Sequence, residues 1–338
     1  MAVTIKDVAK AAGTSTATVS KVLNGSYSIS EATRNRVNKI VEELGYHPNV
    51  RARNFARKQT NSIVFITDLK QHTAFNNPHM FEIMSGVESQ LSLKNYSLKV
   101  RGANSEEACI LAEQIIAQKS ADGIVFHASV VTEKLSEILI NSQFPHIVIG
   151  LPDFISQLCW IDTNNYLSGE IATRHLIEEG YTKFAYIGGY EEDLISEHRL
   201  VGIKTALKIA KIELIDSFIK QCDSSIEQGK EKTREILKNN DLPDVIICAN
   251  NNIAYSCVKE IREKGFTIPK DIGVITFDDY PYAQITQPKL TVVDVDMYDM
   301  GIQAGKLVIN KIRRPNLQVQ TYITLPHLIV RESTKKQV

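Results

Sequence analysis

The stretch TIKDVAKAAGTSTATVSKVLNG, from Thr4 to Gly25, holds two short apolar-periodic segments separated by a single glycine. Thr4 and Asp7 have capping-box spacing, with Asp in place of the usual Glu, and Ile5, Val8, Ala9 and Ala12 follow at helical spacing until Gly13, a natural stop. Ser15 then caps a second helix whose Val19, Val22 and Leu23 turn inward, closed by Asn24-Gly25. Ser30 caps a third, with Val37, Ile40, Val41 and Leu44 as its apolar stripe and Gly45 as its end. Three short helices on one small core, with a tight turn between the first two, make a helix-turn-helix plan. The second helix would present Thr16, Ala17, Ser20, Lys21 and Asn24 outward. These are small and polar, as a helix entering a DNA major groove requires. The competing reading is a small bundle that caps a larger domain and has a solvated face.

The distribution of charge bears on that choice. The whole chain is neutral, with 39 basic and 39 acidic residues, but residues 1–60 hold ten basic side chains against four acidic ones. The first sixty residues therefore carry six surplus positive charges. The remaining 29 basic and 35 acidic residues leave the body with six surplus negative charges. A basic head that meets a polyanion and a body that does not would produce this asymmetry. HPNVRARNFARKQT, His47 to Thr60, begins with a Pro-Asn break and crowds Arg51, Arg53, Arg57 and Lys58 into about ten residues. A helix so short and self-repelling is expected to order only on phosphates or a partner. Within it, Phe55 either packs on the next domain or wedges between base steps in the minor groove.

At 338 residues, 43% of them hydrophobic, the chain can bury two or three domains. It shows no apolar run of membrane-spanning length and no signal-peptide core, so a cytoplasmic protein with no membrane partner is expected. Its five cysteines lack CxxC spacing and sit in apolar runs, which predicts buried reduced thiols and no metal site. From Ser62 onward, strands such as SIVFITD, DGIVFH, DVIICAN and GVITFDD alternate with amphipathic helices. Continuous apolar runs between helices indicate parallel sheets covered on both faces. About eight such units exceed one small sheet, and the interruption at CWIDTNNYLSG suggests two α/β lobes. Several strands finish on a polar residue: Asp68, His127, Asp223, Asn250 and Asp278. Carboxyl ends of parallel strands are where such folds bind ligands, so two facing lobes would form a polar-lined cleft. There is no HExxH, GxSxG or complete GxGxxG, and GIQAGKL at 301–307 lacks the phosphate-loop spacing and its Ser/Thr. No cofactor and no catalytic residue is expected.

VTIKDVAKAAGTSTATVSKVLNG, then VNKIVEELGYHPN and ARNFARKQT, resembles the lactose-repressor (LacI/GalR) family of bacterial transcription regulators. The resemblance continues through NPHMFEIMSGVE, GEIATRHLIEEGYTKFAYIGG, SEHRLVGIKTAL, PDVIICANNNIA, IPKDIGVITFDD and PKLTVVDVDMYDMG to VRES, covering nearly the whole chain in order. It implies an α/β protein with an all-α helix-turn-helix head at 1–47, a hinge helix at 48–60 and a two-lobed core at 61–338. That core would be like periplasmic binding proteins and dimeric. The lobes are expected at about 61–161 with 291–318 and at about 162–290 with 319–332.

The resemblance also implies that Thr16, Ala17 and Lys21 read base edges of double-stranded operator DNA. Thr4, Ser15, Thr18, Ser20, Asn24, Ser30, Asn49, Arg51 and Ala52 fall among the other DNA-contacting positions. Phe55 stands where the family normally places a wedging leucine, a departure that bears on the central base step. A small sugar-like effector is implied in the cleft, with Arg199 and Asn250 donating to it and Asp278 accepting, and with His79, Met80, Asn164 and Asp223 beside it. His79-Met80 stands where many members have Phe-Phe, Asn164 where Asp is common, and Ser224 where some place a stacking aromatic, so the familiar sugars do not carry over. The reading is a ligand-controlled homodimeric repressor. A transport solute-binding protein would need export and no basic head, and an α/β enzyme acting on sugars would need turnover.

Overall fold

The computed structural model describes residues 3–46, 59–69, 78–190, 193–314 and 321–335. The chain divides into two compact units, residues 1–61 with 120–122 and residues 62–119 with 123–338. In the first, α1 (Ile5–Ala11), α2 (Thr16–Leu23) and α3 (Glu31–Glu43) form where the caps and periodicity place them. The Thr4 amide and hydroxyl both donate to the Asp7 carboxylate, at 2.9 and 2.7 Å. The Ser15 and Ser30 hydroxyls accept the amides of Thr18 (3.1 Å) and Thr33 (3.4 Å). All three helices end alike: Thr14, Ser26 and Tyr46 return their amides to Ala9, Lys21 and Val41, each at 3.0 Å, across a glycine of positive φ. Val8, Ala9, Ala12, Val19, Val22, Val37 and Tyr46 make the small core.

The second unit begins with five parallel strands: β1 (Ser62–Thr67), β2 (Ser97–Gly102), β3 (Gly123–His127), β4 (His146–Ile149) and β5 (Trp160–Thr163). Helices α4 (Pro78–Ser92), α5 (Ser105–Gln118) and α6 (Glu133–Ser142) connect them. The chain then builds β6 (Phe184–Gly188), β7 (Ile219–Gln221), β8 (Val245–Cys248), β9 (Gly273–Phe277) and β10 (Thr291–Asp294) with α7 (Asn165–Glu178), α8 (Leu194–Ala210), α9 (Ile226–Leu237), α10 (Asn251–Glu263) and α11 (Pro281–Ile285). Last come α12 (Met297–Arg313), β11 (Thr321–Thr324) and β12 (His327–Ile329). The two six-stranded sheets run β11-β5-β4-β3-β1-β2 and β12-β10-β9-β8-β6-β7, and β12 is antiparallel to β10. The central strands are buried on both faces, so they read as unbroken apolar runs rather than alternating ones.

The sequence-based lobe limits need correcting at two strands. β10 bonds to β9, with Thr291 opposite Ile275, so residues 291–294 belong to the second lobe. β11 bonds to β5, with Thr321 opposite Trp160, so residues 321–324 belong to the first. The backbone therefore crosses between lobes after β5, after β10 and after β11. Strand membership is fixed by long-range pairing that a local pattern does not carry. The sequence pattern passed over all four of β5, β10, β11 and β12, which stand outside the regular strand–helix alternation.

Each lobe holds a helix pair crossed at glycines. A Cβ on Gly169 of α7 would strike the Arg199 carbonyl of α8, and one on Gly202 of α8 would strike the Tyr166 carbonyl of α7. In the first lobe Gly86 of α4 and Gly301 of α12 meet the same way, against the carbonyls of Tyr298 and Ile83. Close backbone approach requires glycine at these positions. At the α7–α8 crossing it also fixes the height at which Arg199 leaves its helix.

Candidate functional site

The head presents a polar face backed by core. Along α2, Val19 and Val22 are buried, while Thr16, Ala17, Lys21 and Asn24 are exposed and Thr18 and Ser20 partly so. Ser15 and Thr18 share a hydroxyl–hydroxyl bond of 2.9 Å, and Asn24 donates its amide to the Ser20 carbonyl at 2.8 Å, so the face is held in shape. Its first turn has no acidic residue and Lys21 lies in its last, leaving the face open to a polyanion. Thr4, Ser15 and Ser30 are exposed at the three helix starts. Asn49, Arg51, Ala52, Phe55 and the expected hinge helix lie outside the described residues.

In the second unit a cavity of about 550 Å³ opens where the carboxyl ends of the two sheets face each other. Arg199 of α8 is 4% exposed, and its guanidinium is held on three sides. Nε donates to Asn165 Oδ1 at 3.2 Å, Nη1 donates to the Ala249 carbonyl at 2.7 Å, and the group lies 4.1 Å over the Phe277 ring. Its Nη2 faces Asp278 Oδ2 at 3.6 Å. Asp278, 2% exposed, follows β9 with φ at +68°, a left-handed conformation that Asp tolerates better than most residues. Asn251 holds that turn: its amide nitrogen donates to the Phe277 and Asp278 carbonyls at 2.7 and 2.9 Å, and its oxygen accepts the Ala283 amide at 3.0 Å. Asp278 Oδ1 is buried without a hydrogen-bond partner, an arrangement that costs stability until a donor arrives.

Asn250 ends β8 and caps α10, its side-chain oxygen accepting the Ile253 amide at 3.1 Å, which leaves the amide nitrogen as the group it can offer. From the first lobe, His79 lies 3.6 Å from Asp278 Oδ2 and edge-on to Tyr280, with ring centres 4.4 Å apart. Burial holds the His79 imidazole below its ordinary pKa despite the Asp278 charge. His127, at the end of β3, is lowered to about 4 by burial and then by His79. Asp162 of β5 is pushed up by burial, although its oxygens take the amides of Thr163 (2.7 Å) and Leu151 (3.2 Å). Burial and the Asp278 charge also raise the Tyr280 phenol, so it stays a donor.

His79, Arg199, Asn250 and Asp278 thus meet at one cavity, as the sequence suggested; three other expected positions do not. Met80 is 4% exposed in the first lobe's core, because it shares an inward helical face with Ile83 and Val87. Asn164 caps α7 through the Leu167 amide at 3.0 Å and is absent from the cavity lining. Asp223 is exposed and accepts the Ser225 amide at 3.0 Å, while Ser224 reaches the lining instead. Sequence reasoning passed over Asp162 and Tyr280 as ligand-facing groups and noted His127 only as a strand end. Asp162 carried the same strand-end signal on a strand too short to notice. Among the described residues no group of three His, Cys, Asp or Glu side chains is arranged to hold a metal ion.

The chain is 30% identical over 337 residues to the HTH-type transcriptional repressor PurR of Vibrio vulnificus (strain CMCP6), spanning 98% of this chain and 99% of that one. Residues 4–49 match the model of bacterial regulatory proteins of the lacI family. The chain belongs to the lacI family. Residues 173–334 match the periplasmic binding protein-like domain. Among solved structures, the transcriptional regulator CelR–cellobiose complex is similar with a TM-score of 0.73 and 27% identity, over 98% of this chain and 99% of that one. The lac repressor dimer bound to operator and the anti-inducer ONPF shares the fold, with a TM-score of 0.84 at 22% identity over 99% of each chain. The lacI-family chain is accordingly a DNA-binding transcriptional regulator and not an enzyme. No helix among its described residues is long and apolar enough to cross a membrane.

Proposed function

We propose that this lacI-family chain is a cytoplasmic, homodimeric repressor that binds a near-palindromic operator and answers to a small polar effector. The observation that carries this reading is the α2 face, small and polar around Lys21 and backed by Val19 and Val22, in a segment with six surplus positive charges. Thr16, Ala17 and Lys21 read base edges. Thr4, Ser15, Thr18, Ser20, Asn24 and Ser30 hold the backbone, with Asn49, Arg51, Ala52 and Phe55 adding hinge contacts. The effector lies against His79, Arg199, Asn250 and Asp278 and shifts the lobes between two arrangements. Operator affinity then changes only by as much as the effector prefers one arrangement over the other.

The test is to sequence the fragments that the purified protein retains from sheared genomic DNA, then to measure Lys21→Ala on the recovered operator. A base contact predicts a loss of ~1–3 kcal/mol on the operator and relaxed preference at one base pair per half-site. An equal loss on random DNA removes Lys21 from the reading set.

A further inference from the structure

The chain passes from the head into β1 through residues 59–61, and one carboxylate meets it there. Asp122, directly before β3, accepts the Thr60 amide on both oxygens, at 2.9 and 3.2 Å, and the Asn61 amide on Oδ2 at 2.7 Å. Asn61 has φ at +46°, so the backbone bends at the clamped residue before it extends into β1. Residues 120–122 fall in one compact unit with residues 1–61 rather than with β3. Hydrogen bonds to a carboxylate are stronger than those between neutral groups. Bonds to two consecutive amides fix the direction of the chain as well as its position.

The second lobe repeats the device. Asp244, directly before β8, accepts the Thr182 amide at 3.0 Å and the Lys183 amide at 2.9 Å, directly before β6. In each lobe the clamped segment leads into the first strand, and the Asp leads into the strand beside it. The two clamps differ in the chain they hold. Thr182 and Lys183 follow α7 of the same lobe, whereas Thr60 and Asn61 follow the head and the basic segment from Arg51 to Lys58. Slack at Thr60 passes straight into the reach of the head. One freed residue adds up to about 3.6 Å, close to the rise of about 3.4 Å per base pair. Two heads of a dimer must meet half-sites at a set separation. Resting on the reading of this chain as a homodimeric operator-binding repressor, we infer that Asp122 is a positioning residue for DNA recognition. Its clamp on Thr60 and Asn61 fixes the point from which each head reaches out and thereby the half-site spacing that the dimer accepts. It acts through the backbone and touches no base.

The experiment titrates the full chain with three labelled duplexes: the operator recovered from genomic fragments, the same operator with one base pair inserted between its half-sites, and random DNA. Asp122→Asn keeps the side chain's shape but turns one acceptor oxygen into a donor that faces the clamped amides. Thr60→Pro removes one of those amides and leaves the carboxylate in place. Each should weaken operator binding by about tenfold, the loss of one charge-assisted hydrogen bond, and erase most of the parent's preference for the native spacing. Binding to random DNA should stay as in the parent. Asp244→Asn, the matched change in the second lobe, should lower the urea midpoint as Asp122→Asn does and leave all three DNA affinities alone. Should Asp122→Asn fail to fold, Thr60→Pro decides. Folded variants that keep the parent's operator affinity and spacing preference overturn the inference, as does an equal loss on random DNA or in Asp244→Asn. In each of these cases the repressor reading stands. A parent chain that binds the operator no better than random DNA removes that reading and the inference with it.

Discussion

Both lobes run their first five strands in the same spatial order, second, first, third, fourth, fifth, and both cross a helix pair at glycines. What they bring to the cavity differs. The second lobe supplies a cross-bonded framework. Arg199 is clamped by Asn165 and Ala249, Asn251 holds the Asp278 turn, and the Ser196 hydroxyl accepts the Gly189 amide at 2.9 Å. The first lobe supplies side chains tied less to one another, among them His79, His127, Ile83, Ile149, Met297 and Met300. One half is braced by its own cross-bonds and the other less so, according to which residues end the strands.

The largest expected effect breaks that division most directly. Arg199→Ala leaves Asp278 as an unpaired buried charge, so unfolding in urea should show a loss of about 3–5 kcal/mol. Effector response should fall with it. His127→Asn, in the other half, should cost less than about 1 kcal/mol of stability. Equal losses would mean that the framework is not confined to the second lobe.

Acid should act mainly on the first lobe. His146 donates from Nδ1 to the Phe144 carbonyl at 2.8 Å and accepts the Cys159 amide on Nε2 at 3.4 Å, so a second proton has no place. Burial lowers its pKa from 6.5 to about 4, and that of His127 likewise. The unfolded chain takes up these protons near pH 6.5 and the folded chain only near 4. The stabilisation is therefore complete above pH 6.5 and lost as pH falls towards 4, by up to about 3 kcal/mol for His146. In the second lobe His175 is also lowered by burial, bonded to Thr334 at 2.8 Å, so His146→Gln should flatten the pH slope rather than abolish it. Hydrogen exchange at pH 5 should show first-lobe amides losing protection first; the reverse order would refute the assignment.

The smallest effect sharpens the comparison at the glycine crossings. Gly169→Ala and Gly301→Ala should each cost ~1–3 kcal/mol through overpacking. Only Gly169→Ala should also weaken the effector, because α8 carries Arg199. Titrating both variants with one ligand checks this, and equal weakening would detach Arg199 from its crossing.

The head was legible in the sequence almost residue by residue, because a capping serine, an i, i+3 stripe and a terminal glycine are local signals. The cavity was legible where strand ends were long and apolar before them, as at Asn250 and Asp278. It was not legible where direction depends on backbone geometry. Asp223 and Asn164 end or follow strands as Asp278 does, yet their oxygens turn to nearby amides, while the positive φ of Asp278 and the hold of Asn251 set its side chain in the cavity. The resemblance put Met80 beside the effector together with His79, but adjacent helical positions point about 100° apart. Arg199 emerges mid-helix and could be placed only by resemblance; its crossing with α7 explains why that position works.

The exchange of β10 and β11 between sheets has a consequence for synthesis on the ribosome. The first lobe's strands are made early, but the helix that packs on α4 and the strand beside β5 arrive only with residues 297–324. Until then α4 lacks the helix it crosses at Gly86 and Gly301, while β6 to β10 are already translated. A nascent chain stalled near residue 296 should therefore carry a half-formed first lobe beside a nearly complete second one, and it is the earlier-made half that would hold a chaperone.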